Sequence, residues 1–177
     1  MEIQYRKLKP SETKLYRTIR LESLQTYPNS FGSNYEDQRA KEKLGFETII
    51  EQAQPDQFIM GAFSDSTLLG ICGFYRNSDL REQHKGAIIQ MYVRAAYQGQ
   101  QIGASLLEAT LQQAFQLPAI EHINLGVYAH NQAALHLYKK AGFTTYGVEK
   151  NCLKLASGYV DLILMAIERK VNTIEKQ

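Results

Sequence analysis

Between Gly86 and Gly142 the chain runs twice through one cycle of strand and helix, and this repetition restricts the fold more than any other feature. GAIIQMYV is dense in branched and aromatic residues and reads as a buried central strand. After it, Gly103, Leu106, Leu107, Thr110, Leu111, Ala114 and Phe115 return at a 3.6-residue period, the mark of a helix with one apolar face, and Pro118 closes the element. HINLGVY begins the second cycle. Asn131 suits the cap of the next helix, Ala134, Leu137, Tyr138 and Ala141 form its buried stripe, and Gly142 takes the position past its end. Alternation of this kind requires a sheet covered by helices.

The flanks extend the same plan. IQYRKL alternates apolar and polar residues as a strand does, and Pro10 with Ser11 starts a helix whose apolar positions are Leu15, Ile19, Leu21 and Leu24. Tyr27-Pro28-Asn29 ends it, and residues 35–53 hold one or two amphipathic helices with Leu44, Phe46, Ile49 and Ile50 as apolar points. FIMGAF and LLGICGFYR, separated by SDST, predict an antiparallel hairpin. Residues 143–148 and 159–168 complete the chain as two strands joined by a polar loop that contains Gly158. The expected architecture is a mixed α/β sheet with helices on both faces. No linker or repeat interrupts the 177 residues, and 44% hydrophobic content suffices for one domain over residues 1–177.

Charge excludes several classes of function. A formal charge of +2, with basic residues scattered rather than in runs, predicts neither a nucleic-acid nor a membrane partner. The longest apolar run, residues 162–167, is far short of the ~20 residues that cross a bilayer, and no signal-peptide pattern follows the start, so a cytoplasmic protein is expected. Cys72 and Cys152 occur without any CxxC, and the four histidines show no ligand spacing, so neither a disulfide framework nor a metal site is expected.

Chemistry concentrates at the junction Val93-Arg-Ala-Ala-Tyr-Gln-Gly-Gln-Gln-Ile-Gly-Ala-Ser105. The first N–H groups of a helix have no intrahelical partner and carry partial positive charge, so glycines at such a start let the backbone wrap a phosphate or pyrophosphate. The same glycines also serve an ordinary strand-to-helix turn. Neither the P-loop pattern nor GxGxxG is satisfied, which removes the basis for a nucleotide-dependent oxidoreductase.

MYVRAAYQGQQIGASLL resembles the acetyl-CoA motif of the GNAT superfamily of N-acetyltransferases, [QR]xxGx[GA] after a strand ending in valine. Gln98 and Gly103 fill its first and last positions, and Gln101 stands where the middle glycine belongs. The block from Asn131 through Leu135, Tyr138 and Gly142 to Phe143 is similar to the superfamily's N..A..LY...GF helix. The resemblance implies a mixed, mostly antiparallel central sheet and acetyl-CoA as cosubstrate. It also implies that the backbone of Met91, Tyr92 and Val93 pairs with the pantetheine arm. The backbone around Gln98, Gly99, Gln101, Ile102, Gly103 and Ala104, assisted by the Ser105 hydroxyl, would hold the pyrophosphate. Asn131 would cap its helix and reach the cosubstrate, and Tyr138 would be the general acid.

The implied reaction is direct attack of a primary amine on the thioester. An alkylammonium of pKa ~10.4 is only about one part in a thousand free base near neutrality, a handicap of about 4 kcal/mol, so a base or a water chain is needed. Many members of the superfamily that this chain resembles place a carboxylate on the central strand; here that strand carries Gln90 and no acid. Glu22, His84, Glu149 and Asp161 are the candidate substitutes. The alternative is a non-catalytic acyl-CoA-binding or sensor module, which the retained Tyr138 argues against. Residues 11–53 and 149–158 are expected to line the acceptor side, whose amine, in a small molecule or a protein, is not specified by sequence. A homodimer through the closing strands is a further expectation.

Overall fold

The computed structural model describes residues 2–169. The order of elements is β1 (Gln4–Lys7), α1 (Thr13–Thr26), α2 (Tyr35–Ala40), α3 (Gly45–Glu51), β2 (Gln57–Ser64), β3 (Thr67–Arg76), β4 (Lys85–Val93), α4 (Ile102–Phe115), β5 (His122–Tyr128), α5 (Gln132–Lys140), β6 (Thr144–Leu155) and β7 (Gly158–Glu168). The seven strands form one sheet in the order β1-β2-β3-β4-β5-β7-β6. Only β4 and β5 run parallel; every other neighbouring pair is antiparallel.

Strand alternation divides the core between the two faces of the sheet. On β2, Phe58 and Met60 point to the cluster that contains Leu106, Leu107 and Leu111 of α4 and Leu135 and Tyr138 of α5. Ile59 and Phe63 point the other way, to Tyr16 and Ile19 of α1 and Ile50 of α3. Helices cover both faces, as the sequence predicts. The inward face of α1 differs from expectation: Leu15 is 39% exposed, while Tyr16, Ile19, Arg20, Ser23 and Leu24 are buried.

Two other departures bear on the site. The central strand is not regular, because Tyr92 pairs with Ile71 and Ile89 with Gly73, leaving Gln90 and Met91 together across from Cys72. Gln90 has φ 53°. Such a bulge bends the strand and raises its twist. Beyond it β4 has left β5: their ladder lasts three pairs, Lys85–His122, Gly86–Ile123 and Ala87–Asn124. The segment 149–158, expected as a loop, is mostly strand, with only residues 156 and 157 turning between β6 and β7. β6 is the outer strand, so polar residues such as Lys150 and Lys154 are exposed along it. Asn151, at φ 55°, lies in an irregularity between Glu149 and Leu153. Exposure and the broken register together hide its two-residue period.

Candidate active site

Where β4 and β5 part, a cavity of about 580 Å³ opens between them. Its walls are residues 88–93 of β4, Gly126 and Val127 of β5, the entry to α4, one side of α5, and Tyr27, Ser30 and Phe31 after α1. From Ile88 onward β4 is paired only to β3, so its other edge faces the cavity with unpaired backbone groups. Met91, Tyr92 and Val93 lie on that stretch.

The entry to α4 shapes the far wall. Gly99 has φ 76°, and no neighbour lies within 4 Å of where a Cβ would stand, so conformation rather than space requires glycine there. Gln101 caps the helix at φ 62° and ψ 1°, the left-handed region, with no side-chain capping bond. That conformation is one glycine adopts without penalty, and glutamine takes it here at a cost in strain. The Ser105 N–H donates to Gln101 C=O at 3.1 Å, so the amides of Ile102, Gly103 and Ala104 precede the first helical bond and border the cavity. Ser105 is outside the cavity lining. Gln98 lines it, but its N–H is used by Ala95 C=O at 3.3 Å and its Nε2 donates to Val93 C=O at 2.8 Å, which ties the loop to the strand end.

Asn131 accepts the Ala134 N–H through Oδ1 at 3.1 Å, the cap that the sequence predicts, and also lines the cavity. Tyr138 is 7% exposed, packs edge-to-face on Phe143 at 5.8 Å, and forms part of the cavity wall. Burial, reinforced by neighbouring Cys72, pushes its phenol above the ordinary tyrosine range, so it is a protonated donor across the physiological range. Cys72 is fully buried in β3, with its thiol pushed up to about 12 by burial.

The four candidate bases fall in different places. Glu22 accepts from Tyr92 Oη at 2.9 Å and pairs with Arg94 Nε at 3.1 Å; the Tyr92 hydroxyl is raised to about 12 by burial and by this carboxylate. Glu149 lies near Tyr128 and Cys152, whose pKa values it helps to raise. Asp161 is held by Lys150 Nζ at 2.8 Å and by the Asn151 N–H at 3.0 Å, which lower its pKa and its basicity. His84 precedes the paired start of β4, its ring 5.8 Å from His122, at the end of the sheet away from the cavity. Two residues that sequence reasoning did not assign also shape the site: Tyr16, 1% exposed, donates to Gln90 Oε1 at 2.9 Å, and Arg20 stacks on the cavity residue Phe31 at 4.8 Å. No signal in hydropathy marks Arg20, a cation on an inward helical face.

The family model described as Acetyltransferase (GNAT) family matches residues 17–143. The chain is 27% identical over 149 residues to a spermidine N(1)-acetyltransferase of Thermoplasma acidophilum, covering 81% of this chain and 89% of that protein. It is similar in fold to an acetyltransferase of the GNAT family from Streptococcus pneumoniae, with TM-score 0.83, 21% identity, and coverage of 95% of this chain and 100% of the other. A putative acetyltransferase from Salmonella typhimurium, solved with its cofactor acetyl-CoA, superposes with TM-score 0.78 at 15% identity and 99% coverage of each chain.

Proposed function

Because the chain belongs to the acetyltransferase (GNAT) family, we propose that the cavity between β4 and β5 holds acetyl-CoA and that the residues on its walls direct the acetyl group to an amine. The protein is an acetyl-CoA-dependent N-acetyltransferase. The observation that carries the site assignment is the open edge of β4 facing the unpaired first amides of α4 across one cavity. An extended amide-bearing arm can pair with the strand edge, and a pyrophosphate can sit at the helix start. The donors present fit that cosubstrate.

Bound acetyl-CoA supplies the thioester: the amine nitrogen forms a bond to the carbonyl carbon, and the carbon–sulfur bond breaks to give a thiolate. Met91, Tyr92 and Val93 align the arm through their backbone, and Ile102, Gly103 and Ala104 donate to phosphate oxygens, with Gly99 and Gln101 giving the loop its shape. Gln98 holds that loop closed against Val93. Asn131 keeps its cap and turns its remaining amide donor to the cosubstrate. Tyr138 hydrogen-bonds the departing sulfur; with a phenol above 10 and a thiol near ~8.5, its contribution lies chiefly in the bond it donates as charge builds. Gln90 has no basic atom. Among the four candidate bases only Glu22 is hydrogen-bonded to a cavity side chain, Tyr92, and we assign it to collect the amine proton, through water where the acceptor does not reach it.

The relative named for spermidine supports a primary amine as acceptor class. Among the described residues no helix is long and apolar enough to cross a membrane, and a cosubstrate made in the cytoplasm supports that location. Self-association through the closing strands is part of the proposal, and sedimentation equilibrium tests it. The primary experiment is calorimetric titration with acetyl-CoA, free CoA and NAD. Micromolar binding of acetyl-CoA without a response to NAD is expected; absence of acetyl-CoA binding refutes the site.

A further inference from the structure

We infer that the acceptor end of this cavity is built for an amine that carries a carboxylate a few bonds away, an α-amino acid rather than a polyamine. The inference rests on the N-acetyltransferase reading above. Two observations lead to it independently.

Arg20 is 5% exposed and has no carboxylate partner among the described residues. Its guanidinium makes one hydrogen bond, a long contact from Nη1 to Ser23 Oγ at 3.5 Å, and lies over Phe31, which lines the cavity. Along α1, positions 16, 20 and 23 share one face, and Tyr27 follows at the helix end. Tyr16 is bonded to the cavity residue Gln90, and Tyr27 is itself on the cavity wall, so Arg20, which is not itself a lining residue, lies between two points of contact with the site and directly behind Phe31. The nearby acids are already engaged: Glu22 by Tyr92 and Arg94, and Glu47 by Arg17 at 2.9 Å. Apart from the Ser23 contact the guanidinium has no hydrogen-bond partner among the described residues, and a largely buried cation so placed favours an anion that can reach it.

The second observation is the orientation of Gln90. Tyr16 is 1% exposed and has Gln90 as its hydrogen-bond partner, so its hydroxyl proton must go to Oε1; the reversed amide would leave that proton buried and unpaired. Fixed this way, the cavity-lining Gln90 keeps Nε2 as a donor with no protein partner among the described residues. A neutral donor on the cavity wall, with an unpaired cation one helical turn from its partner Tyr16, suits a carboxylate and disfavours a second ammonium.

The test measures loss of thioester absorbance with the twenty L-α-amino acids, with the carboxamide and the decarboxylated amine of each amino acid that reacts, and with spermidine. The expected result is a kcat/KM at least tenfold higher for an amino acid than for its carboxamide or its decarboxylated amine, and higher than for spermidine. In Arg20→Met and Gln90→Leu that ratio should fall below threefold. Because Arg20 is buried and its variant can fail to fold, the wild-type acceptor series decides alone. Equal or better use of spermidine or the decarboxylated amines, or failure to acetylate any amino acid, overturns the inference. Acetyl-CoA titration in parallel separates the two readings: binding with preference for carboxylate-free amines sinks only the acceptor assignment, whereas absence of binding sinks the enzyme site itself.

Discussion

Replacing Gln101 by glycine should make the protein more stable, although it removes a side chain. Gln101 begins α4 at φ 62° and ψ 1°, where a residue with a Cβ is strained by about 1–2 kcal/mol. Its side chain is exposed and makes no capping bond, so little burial is lost on truncation. Glycine gives back about 0.4–1 kcal/mol through the greater freedom of the unfolded chain. The net gain is about 0.5–1 kcal/mol, which for a chain of this size raises Tm by about 1–4 °C. Gln101→Ala keeps the strain and serves as the control, expected within about 0.5 kcal/mol of wild type. Scanning calorimetry measures both. The affinity for acetyl-CoA, read by titration, should stay within threefold, because the backbone and not the glutamine side chain is assigned to the pyrophosphate. A glycine variant less stable than the alanine variant would refute the left-handed reading, and a large loss of affinity would assign the side chain a role that the geometry does not give it.

Tyr138→Phe removes the donor to sulfur and should lower kcat about 10²-fold while leaving acetyl-CoA affinity nearly unchanged, as single-turnover rates and titration together will tell. Cys152 is partly exposed and Cys72 fully buried, so a thiol reagent should modify one cysteine per native chain and two after denaturation. Burial first and Glu149 second raise the Cys152 thiol, hence Glu149→Gln should speed that first modification near pH 8. Glu12 accepts both Arg6 Nη atoms at 2.8 Å, and the Arg6 bond leads the causes that lower its pKa. A lowered folded pKa means that the stabilisation is present above the unfolded value and lost as pH falls through the folded one. Glu12→Gln should therefore cost about 1 kcal/mol at pH 7, with the gap closing in acid, and urea titrations at a series of pH values test it.

The cycle of strands and helices from Gly86 to Gly142 was legible because both periods are clean there: branched residues mark the strands, and α4 shows its apolar face once per turn. The first half of the edge strand β6 was legible as residues 143–148, but its continuation to Leu155 was not, since a strand paired on one side and wet on the other carries no continuous apolar run, and its irregularity near Asn151 breaks the alternation. The glycine pattern located the start of α4, but nothing local in GAIIQMYV says that Gln90 adopts a positive φ; that bulge is imposed by pairing with β3, a partner distant in sequence. Arg20 was missed for a related reason. Hydropathy favoured Leu15 for the inward face, and only the packing of α1 against the sheet, chiefly over β3, places the guanidinium inside and leaves Leu15 partly exposed. His84 was a reasonable candidate by chain proximity to the central strand, and topology removes it, because β4 enters the sheet at the end remote from the cavity.

The three-rung contact between β4 and β5 has a mechanical consequence. The sheet is two slabs, β1 to β4 and β5 with β7 and β6, riveted directly at one corner and elsewhere only through the helices packed across them. A ligand seated along the free edge of β4 acts as the missing clasp. Those amides of residues 88–93 that point to the free edge, not those bonded to β3, should then exchange with deuterium quickly in the empty protein and slowly once the clasp is in place, and the two slabs should melt as one body only when the cosubstrate joins them.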